Sequence, residues 1–117
     1  MRYEDLKAFR LADELADDLH AAVRRWPLLD QRSIGLQLVR AADSVGANIA
    51  EAYGRWHPRD QRQRLYIARG SAYETQYWVS RATKQGLIDS SMRDRAQELG
   101  RLVNGLIRAH PGYSPSN

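Results

Sequence analysis

The stretch from Leu65 to Gln76 constrains the fold most, because it has no clear solvent side. At about 100° per residue, one helix face collects small and aliphatic residues, and the nearly opposite face collects a glycine and three tyrosines. The first face holds Leu65, Ala68, Ala72, Thr75, Val79 and Ala82, and the second holds Tyr66, Gly70, Tyr73 and Tyr77. A helix with two such faces is usually buried on two sides. In a chain of 117 residues one side can serve the internal core, and the other needs a partner surface, either another subunit or a ligand.

Three further segments show the apolar period of an amphipathic helix. With the two-faced helix, the four predicted helices run over about 5–26, 31–56, 59–85 and 89–110. Proline or glycine separates them, and such short connections favour antiparallel neighbours. The sequence therefore predicts an all-α, up-down-up-down antiparallel four-helix bundle over residues 1–110, followed by a disordered tail over 111–117.

Composition and charge indicate where the protein is located and what kind of partner it binds. The chain has no cysteine, no signal peptide and no apolar run long enough to span a membrane, so we expect a cytoplasmic protein without a membrane partner. Its net charge is +4, and the charge is unevenly distributed. Residues 1–18 hold six acids against three bases, whereas residues 55–84 hold seven bases against two acids. The positive field therefore centres on the two-faced helix and its entry, which suits an acidic partner.

Motifs for catalysis are missing. No glutamate is followed three residues later by histidine, as a di-iron bundle requires, and His-x-x-x-His, Gly-x-Ser-x-Gly and the P-loop pattern are also absent. Glu51 and Glu74 could meet as a carboxylate pair across two helices, but the plainer interpretation pairs each with an arginine. We therefore expect no metal, no cofactor and no enzymatic activity, with an enzyme site at a subunit boundary using Glu51 or Glu74 as the remaining alternative.

The basic entry and the tyrosine face each allow two interpretations. The basic residues of this region are interleaved with aromatic ones, an arrangement that suits phosphate contact and base stacking. The bases are Arg55, Arg59, Arg62, Arg64, Arg69, Arg81 and Lys84, and the residues between them include Trp56, His57, Tyr66, Tyr73 and Tyr77. Of these, Arg55, Arg59, Arg62 and Arg64 are the predicted nucleic-acid-binding residues; alternatively, their charges only solvate a helix surface. For the tyrosine face we favour a subunit interface, where tyrosine is enriched. That interface is predicted to comprise Tyr66, Gly70, Tyr73 and Tyr77.

Two sequence blocks carry a resemblance to a known family. Residues 38–55 read LVRAADSVGANIAEAYGR and residues 65–74 read LYIARGSAYE. These blocks resemble the bacterial four-helix bundle proteins named for open reading frames in 23S ribosomal RNA intervening sequences, and the likeness covers residues 3–110. The matched positions are Arg40, Ser44, Asn48, Glu51, Gly54, Arg55, Tyr66, Arg69, Gly70, Ser71 and Glu74. Departures from the pattern are Val39 where a second base is common, Gly46 where proline is usual, and Ala52 where glycine is usual. Because the proline is absent, the sequence does not predict whether the second helix has the kink expected in the family.

The resemblance implies a ring-like homo-oligomer, a pentamer, with no known enzymatic activity. A related branch resembles the accessory subunit of retroelement reverse transcriptases, a basic ring that binds the polymerase and nucleic acid. By this analogy we predict a non-enzymatic scaffold that offers a basic surface to RNA or DNA while docking a protein partner. The alternative is an assembly protein whose partners are proteins only. A structural polar network of Arg40, Asn48, Glu51, Arg69 and Glu74 is predicted to hold helices or subunits in register.

Overall fold

The computed structural model describes residues 2–115, and all regular structure in that range is helical. The four long helices are α1 (Lys7–Val23), α2 (Leu36–Gly54), α3 (Pro58–Lys84) and α4 (Ser91–Ala109). A 3-10 turn, Tyr3–Asp5, precedes α1, and a helical turn, Leu28–Asp30, leads through a π-helical segment, Gln31–Gly35, into α2. The predicted all-α class is confirmed, and the predicted helices agree with the observed ones to within about one turn.

Proline and glycine mark the ends of α3 as the sequence predicts. Pro58 is the first residue of the helix, where its missing N–H costs nothing. Gly86, just beyond the other end, has a φ of 73°, the left-handed conformation that glycine adopts without a Cβ penalty. The first helix ends earlier than predicted, at Val23, because the next residues form a tight turn in which Trp26 N–H donates to the Val23 carbonyl at 3.0 Å.

Each helix packs against the next one along the chain, α4 closes the bundle against α1, and α2 with α3 form the most extensive interface. Contacts show the direction of neighbouring helices. His20, late in α1, lies 2.9 Å from the carboxylate of Asp43, early in α2. At the start of α3, Gln61 lies 3.0 Å from His110 at the end of α4. These neighbours therefore run antiparallel, and α1 and α3 occupy diagonal corners.

The core forms from the predicted apolar stripes. Its fully buried large side chains are Leu15, Leu19, Leu38, Val45, Ile49, Leu65, Val79, Leu99 and Val103. On α3, the whole first face of the two-faced helix is buried, including Thr75. The Thr75 hydroxyl donates to the Ser71 carbonyl at 2.8 Å, so its buried oxygen has a partner. The assignment of this face to the internal core is confirmed.

Two glycines lie beside α1, Gly35 at a close approach and Gly46 at ordinary van der Waals distance. A Cβ at Gly35 would lie only 2.7 Å from Cγ1 of Val23, so glycine is needed where the π-helical segment passes the end of α1. A Cβ at Gly46 would lie 3.6 Å from the Phe9 ring and 3.8 Å from the Ala12 Cβ. Helix α1 thus packs against the side of α2 that carries Gly46, and α2 continues through Gly46 without a break.

The described part of the C-terminal tail contacts the bundle. Tyr113 is half-buried and packs against the core, and its N–H donates to the His110 carbonyl at 2.9 Å. The last two residues of the predicted tail, 116 and 117, lie outside the described residues. Disorder over residues 111–117 therefore stays a prediction.

Hydropathy along the helices bears on the membrane question. Within residues 2–115, none of the helices combines the length and the apolar character that a membrane crossing requires.

Candidate nucleic-acid and subunit interfaces

The connection between α2 and α3 forms a tip at one end of the bundle. It comprises Arg55, Trp56 and His57, and Pro58 begins α3 directly after it. Gln61 fixes this short connection from inside the helix: its side-chain Nε2 donates to the Arg55 carbonyl and its backbone N–H donates to the His57 carbonyl, both at 3.0 Å. The Trp56 side chain is 90% exposed. The tip therefore has a defined backbone and presents its side chains to solvent.

Two of the four predicted nucleic-acid-binding arginines share one carboxylate. Arg55 donates a hydrogen bond from Nη2 to Glu51 Oε1, and Nη2 of Arg64 lies 3.9 Å from the same oxygen. One negative charge thus faces two positive charges, which leaves an excess positive charge on this side of the tip. Arg59 is exposed on the first turn of α3 and has no hydrogen bond or ion pair to any residue in 2–115.

Arg62 belongs to a different surface. It lies about 160° around α3 from Arg64. Its guanidinium fills the space that a Cβ at Gly112 would need, close to His110. The structure therefore places Arg55 and Arg64 towards α2, Arg62 towards the end of α4, and Arg59 outward between them.

His110 is bonded to the start of the tail, and its two hydrogen bonds require one tautomer of its ring. Its Nε2 lies 3.0 Å from Gln61 Oε1, which can only accept, and its Nδ1 accepts the N–H of Gly112 at 3.1 Å. The neutral ring with its proton on Nε2 satisfies both bonds. Burial, and secondarily the positive charge of Arg62, lower the pKa of His110 below its usual 6.5.

Acidification is expected to loosen the tail from the bundle. Because the folded-state pKa of His110 is lowered, its contribution to stability is complete above the unfolded value of 6.5 and is lost as the pH falls below it towards the folded pKa. Protonation of Nδ1 also removes the acceptor for the Gly112 N–H. An NMR titration from about pH 7.5 to about pH 5 should show the His110 ring titrating below 6.5, with the Gly112 amide shifting at the same midpoint. A His110 pKa at or above 6.5, or a Gly112 amide that does not follow it, would contradict this geometry.

The first polar cluster joins α2 to α3. Nδ2 of Asn48 donates to the backbone carbonyl of Ser44 at 2.8 Å and to its Oγ at 3.0 Å. The Ser71 hydroxyl, on α3, donates to the same Ser44 Oγ at 2.8 Å. Asn48 thus acts on the helix pair through Ser44, and Glu51 lies one turn further along α2 with its two arginines.

The second polar cluster joins α3 to α4. Nη1 of Arg69 lies 3.4 Å from Asn104 Oδ1, and the Asn104 amide donates to the Tyr73 hydroxyl at 2.9 Å. The Arg69 guanidinium also lies over the Tyr66 ring, 5.0 Å from its centroid. The sequence did not predict Asn104 as a member of this cluster. Its position directly after Val103 puts it at the border of the α4 stripe, but the sequence does not say which helix faces that border.

Arg40 and Glu74, the other predicted members of the network, do not join either cluster within residues 2–115. Arg40 is exposed there without a hydrogen bond or ion pair, and Oε1 of Glu74 accepts a bond from Trp78 Nε1 at 3.4 Å. The arginine partners predicted for Glu51 are present, whereas Glu74 has none in the described chain. Among the same residues, no group of three or more His, Cys, Asp or Glu side chains could hold a metal ion.

The second face of α3 is largely exposed. Tyr73 and Tyr77 are 48% and 57% exposed, and apart from its chain neighbours and the backbone of its own helix, no atom of the described residues lies within 4 Å of the position that a Cβ on Gly70 would take. Tyr66 differs, because it is half-buried and packs against the core. Inside the subunit, nothing described explains why a glycine that weakens the helix stands at position 70.

Comparison with known proteins agrees with this architecture. The family model described as 23S rRNA-intervening sequence protein matches residues 4–107. A crystal structure of a protein of unknown function, from the S23 ribosomal protein family of Bacteroides thetaiotaomicron, superimposes with a TM-score of 0.77 at 24% identity. The match covers 87% of this chain and 99% of that chain, and at this identity it shows the fold alone. The curated proteins gave no match. The chain belongs to the 23S rRNA-intervening sequence protein family.

Proposed function

We propose that this chain is a non-enzymatic scaffold that assembles with itself and presents a basic surface to RNA or DNA. The assembly is a ring of subunits, five in the form that the family resemblance implies, and a protein partner docks on it. The observation that carries the nucleic-acid part is the α2–α3 tip, where Arg59 is exposed and has no bonding partner among residues 2–115, close in the chain to Arg55 and Arg64.

The charge at the tip supports contact with phosphate. Residues 55–64 contain four arginines and one acid, Asp60. The nearby carboxylate of Glu51 compensates two of these arginines only in part, since it faces both. Phosphate groups of a nucleic acid would supply the missing negative charge, and arginine binds them in a bidentate geometry. Arg62 would contribute at longer range, because its guanidinium is turned towards the tail.

The outer face of α3 supports self-association. Tyr73 and Tyr77 offer aromatic area, and Gly70, about one turn before Tyr73, leaves room for the backbone of another helix. The distribution of charge adds a direction. The acid-rich helix α1 and the base-rich helix α3 lie at diagonal corners, so each subunit has an acidic side and a basic side. Contact between the basic side of one copy and the acidic side of the next is head-to-tail, the arrangement that closes into rings.

The proposal of a non-enzymatic role is supported by the bonds that the candidate catalytic side chains make in the structure. Glu51 is paired with arginines, and Glu74 is bonded to Trp78 within its own helix. The hydroxyl of Ser71 is bonded to Ser44 and has no histidine beside it among its described contacts.

Binding of labelled RNA and duplex DNA over a salt series tests the proposal. Between about 50 and about 500 mM salt, the logarithm of affinity should fall linearly with the logarithm of salt concentration, by about 0.9 per phosphate contact. Arg59→Gln should weaken binding several-fold and reduce that slope by about one. Fluorescence anisotropy of the labelled nucleic acid measures both quantities.

Arg24→Gln is the matched control, because it removes the same charge from an exposed position at the opposite end of the bundle. It should leave the slope unchanged. Absence of binding at low salt, a flat salt dependence, or equal effects of the two substitutions would refute phosphate contact at the tip.

Protein-only assembly is the second candidate. The observation in its favour is the exposed tyrosine face itself, because tyrosine is enriched in protein interfaces. Under this alternative the arginines of the tip solvate the surface, and the chain still assembles but binds no nucleic acid. The salt series therefore separates the two candidates.

A further inference from the structure

Trp56 differs from the other two tryptophans in its exposure to solvent. Trp26 is 6% exposed and donates its indole N–H to the Leu87 carbonyl at 3.1 Å. Trp78 is half-buried and bonded to Glu74. Trp56 is 90% exposed and has neither a hydrogen bond nor a ring contact within residues 2–115. Leaving this much aromatic area in water costs free energy, and no hydrogen bond or ring contact of Trp56 within residues 2–115 offsets that cost.

The backbone that carries Trp56 is fixed on both sides. Arg55 N–H donates to the Ala52 carbonyl at 3.2 Å and closes α2, and both ends of the connection are bonded to Gln61. Pro58 fixes the first φ of α3. The ring is therefore presented on an ordered support, so little backbone order is lost when something binds it.

The surroundings of Trp56 suit a nucleotide better than an apolar surface. Its neighbours in sequence are the exposed or half-exposed polar side chains of Arg55, His57 and Arg59, and the nearest large hydrophobic residue along the chain, Tyr53, is 40% exposed. The patch is thus a single exposed ring with two arginines within three residues of it along the chain, whereas the buried centre of a protein interface is apolar and depleted in charged residues. A base stacked on an aromatic ring beside phosphate-binding arginines has the complementary pattern.

We propose that the α2–α3 tip is a stacking site for single-stranded nucleic acid, in which an unpaired base lies on the Trp56 indole while Arg59 contacts the adjoining phosphate. Bases inside a duplex are already stacked on each other and do not offer a free face. The tip therefore selects single strands, loops and unpaired ends over duplexes. This inference rests on the proposed function and names the class of nucleic acid that it concerns.

The test compares a labelled single-stranded RNA of mixed pyrimidine sequence with a duplex that contains the same strand. Trp56→Leu keeps an apolar side chain but removes the aromatic face, and should lower the single-strand affinity about tenfold. Its duplex affinity and salt slope should stay as in the unsubstituted chain, because the phosphate contacts are unchanged. Trp56→Phe should restore a large part of the lost affinity, and binding of the single strand should quench tryptophan fluorescence in the unsubstituted chain.

Tyr53→Leu is the control, since Tyr53 is also an exposed aromatic side chain near the tip. It should leave single-strand affinity unchanged. The stacking site is overturned if the chain binds single strand and duplex with equal affinity, or if the Trp56→Leu variant binds like the unsubstituted chain. In either case, salt-dependent binding would still support the proposed function. Absence of salt-dependent binding to either probe overturns both.

Discussion

Replacing Leu65 by alanine is expected to lower the free energy of unfolding by about 3 kcal/mol. Leu65 is 2% exposed on the core side of α3, so the truncation removes buried methyl groups and leaves a cavity among side chains that cannot fully collapse. For a domain of this size this is a large part of the total stability. Urea unfolding followed by circular dichroism measures the loss.

The matched substitution on the other face of the same helix is Tyr77→Ala. Tyr77 is 57% exposed in the subunit and contacts the Trp78 ring edge-on at 4.9 Å. In the isolated subunit its loss should cost no more than about 0.5 to 1 kcal/mol. In an assembly, unfolding depends on concentration, so the cost of Tyr77→Ala should grow as the chain concentration rises, while that of Leu65→Ala stays constant. Equal, concentration-independent losses for both variants would contradict a division of α3 into an internal face and an intersubunit face.

Gly70→Leu is expected to dissociate the assembly while stabilising the separated subunit. Leucine is a better helix former than glycine by about 0.8 kcal/mol. Outside the adjoining residues and backbone of its own helix, nothing in residues 2–115 lies within 4 Å of the new Cβ. On a surface where a neighbouring backbone approaches, the same side chain would hold the two helices apart. The two effects have opposite signs, so they are separable by measuring the mass in solution and the urea midpoint of the dissociated chain.

The control is Gly105→Leu on α4. Gly105 is also helical and exposed, and the space around its Cβ position is equally open. This variant should gain the same helix propensity and keep the assembly state of the unsubstituted chain. If Gly70→Leu and Gly105→Leu behave alike, position 70 is an ordinary exposed glycine and the interface lies elsewhere.

The helices and the core face of α3 were predictable because they depend on local patterns. A period of 3.6 residues separates buried from exposed positions, and Pro58 and Gly86 mark the ends of α3 by their own backbone preferences. The π-helical segment Gln31–Gly35 was not predicted. Its last residue, Gly35, passes close to Val23, a tertiary contact that the local pattern does not reveal.

The partners of polar side chains were less predictable, because they also depend on tertiary contacts. Arg62 and Arg64 stand two residues apart in the chain, but the helix turns them towards different neighbours, α4 and α2. Arg69 could be placed between the two faces of α3, but its bond to Asn104 depends on how α4 packs against that border. Helical periodicity gives the direction of a side chain from its own axis and leaves open which neighbouring helix that side chain meets.

The mass of the unsubstituted chain in solution tests most directly whether α3 is buried on two sides. Light scattering on the purified protein over a range of concentrations measures it without labels or substitutions. We expect one defined multiple of the 13.4 kDa subunit, which is five for the ring implied by the family resemblance. A mass of 13.4 kDa at every concentration would mean that the exposed face around Gly70, Tyr73 and Tyr77 joins no second copy, and would contradict the proposed assembly.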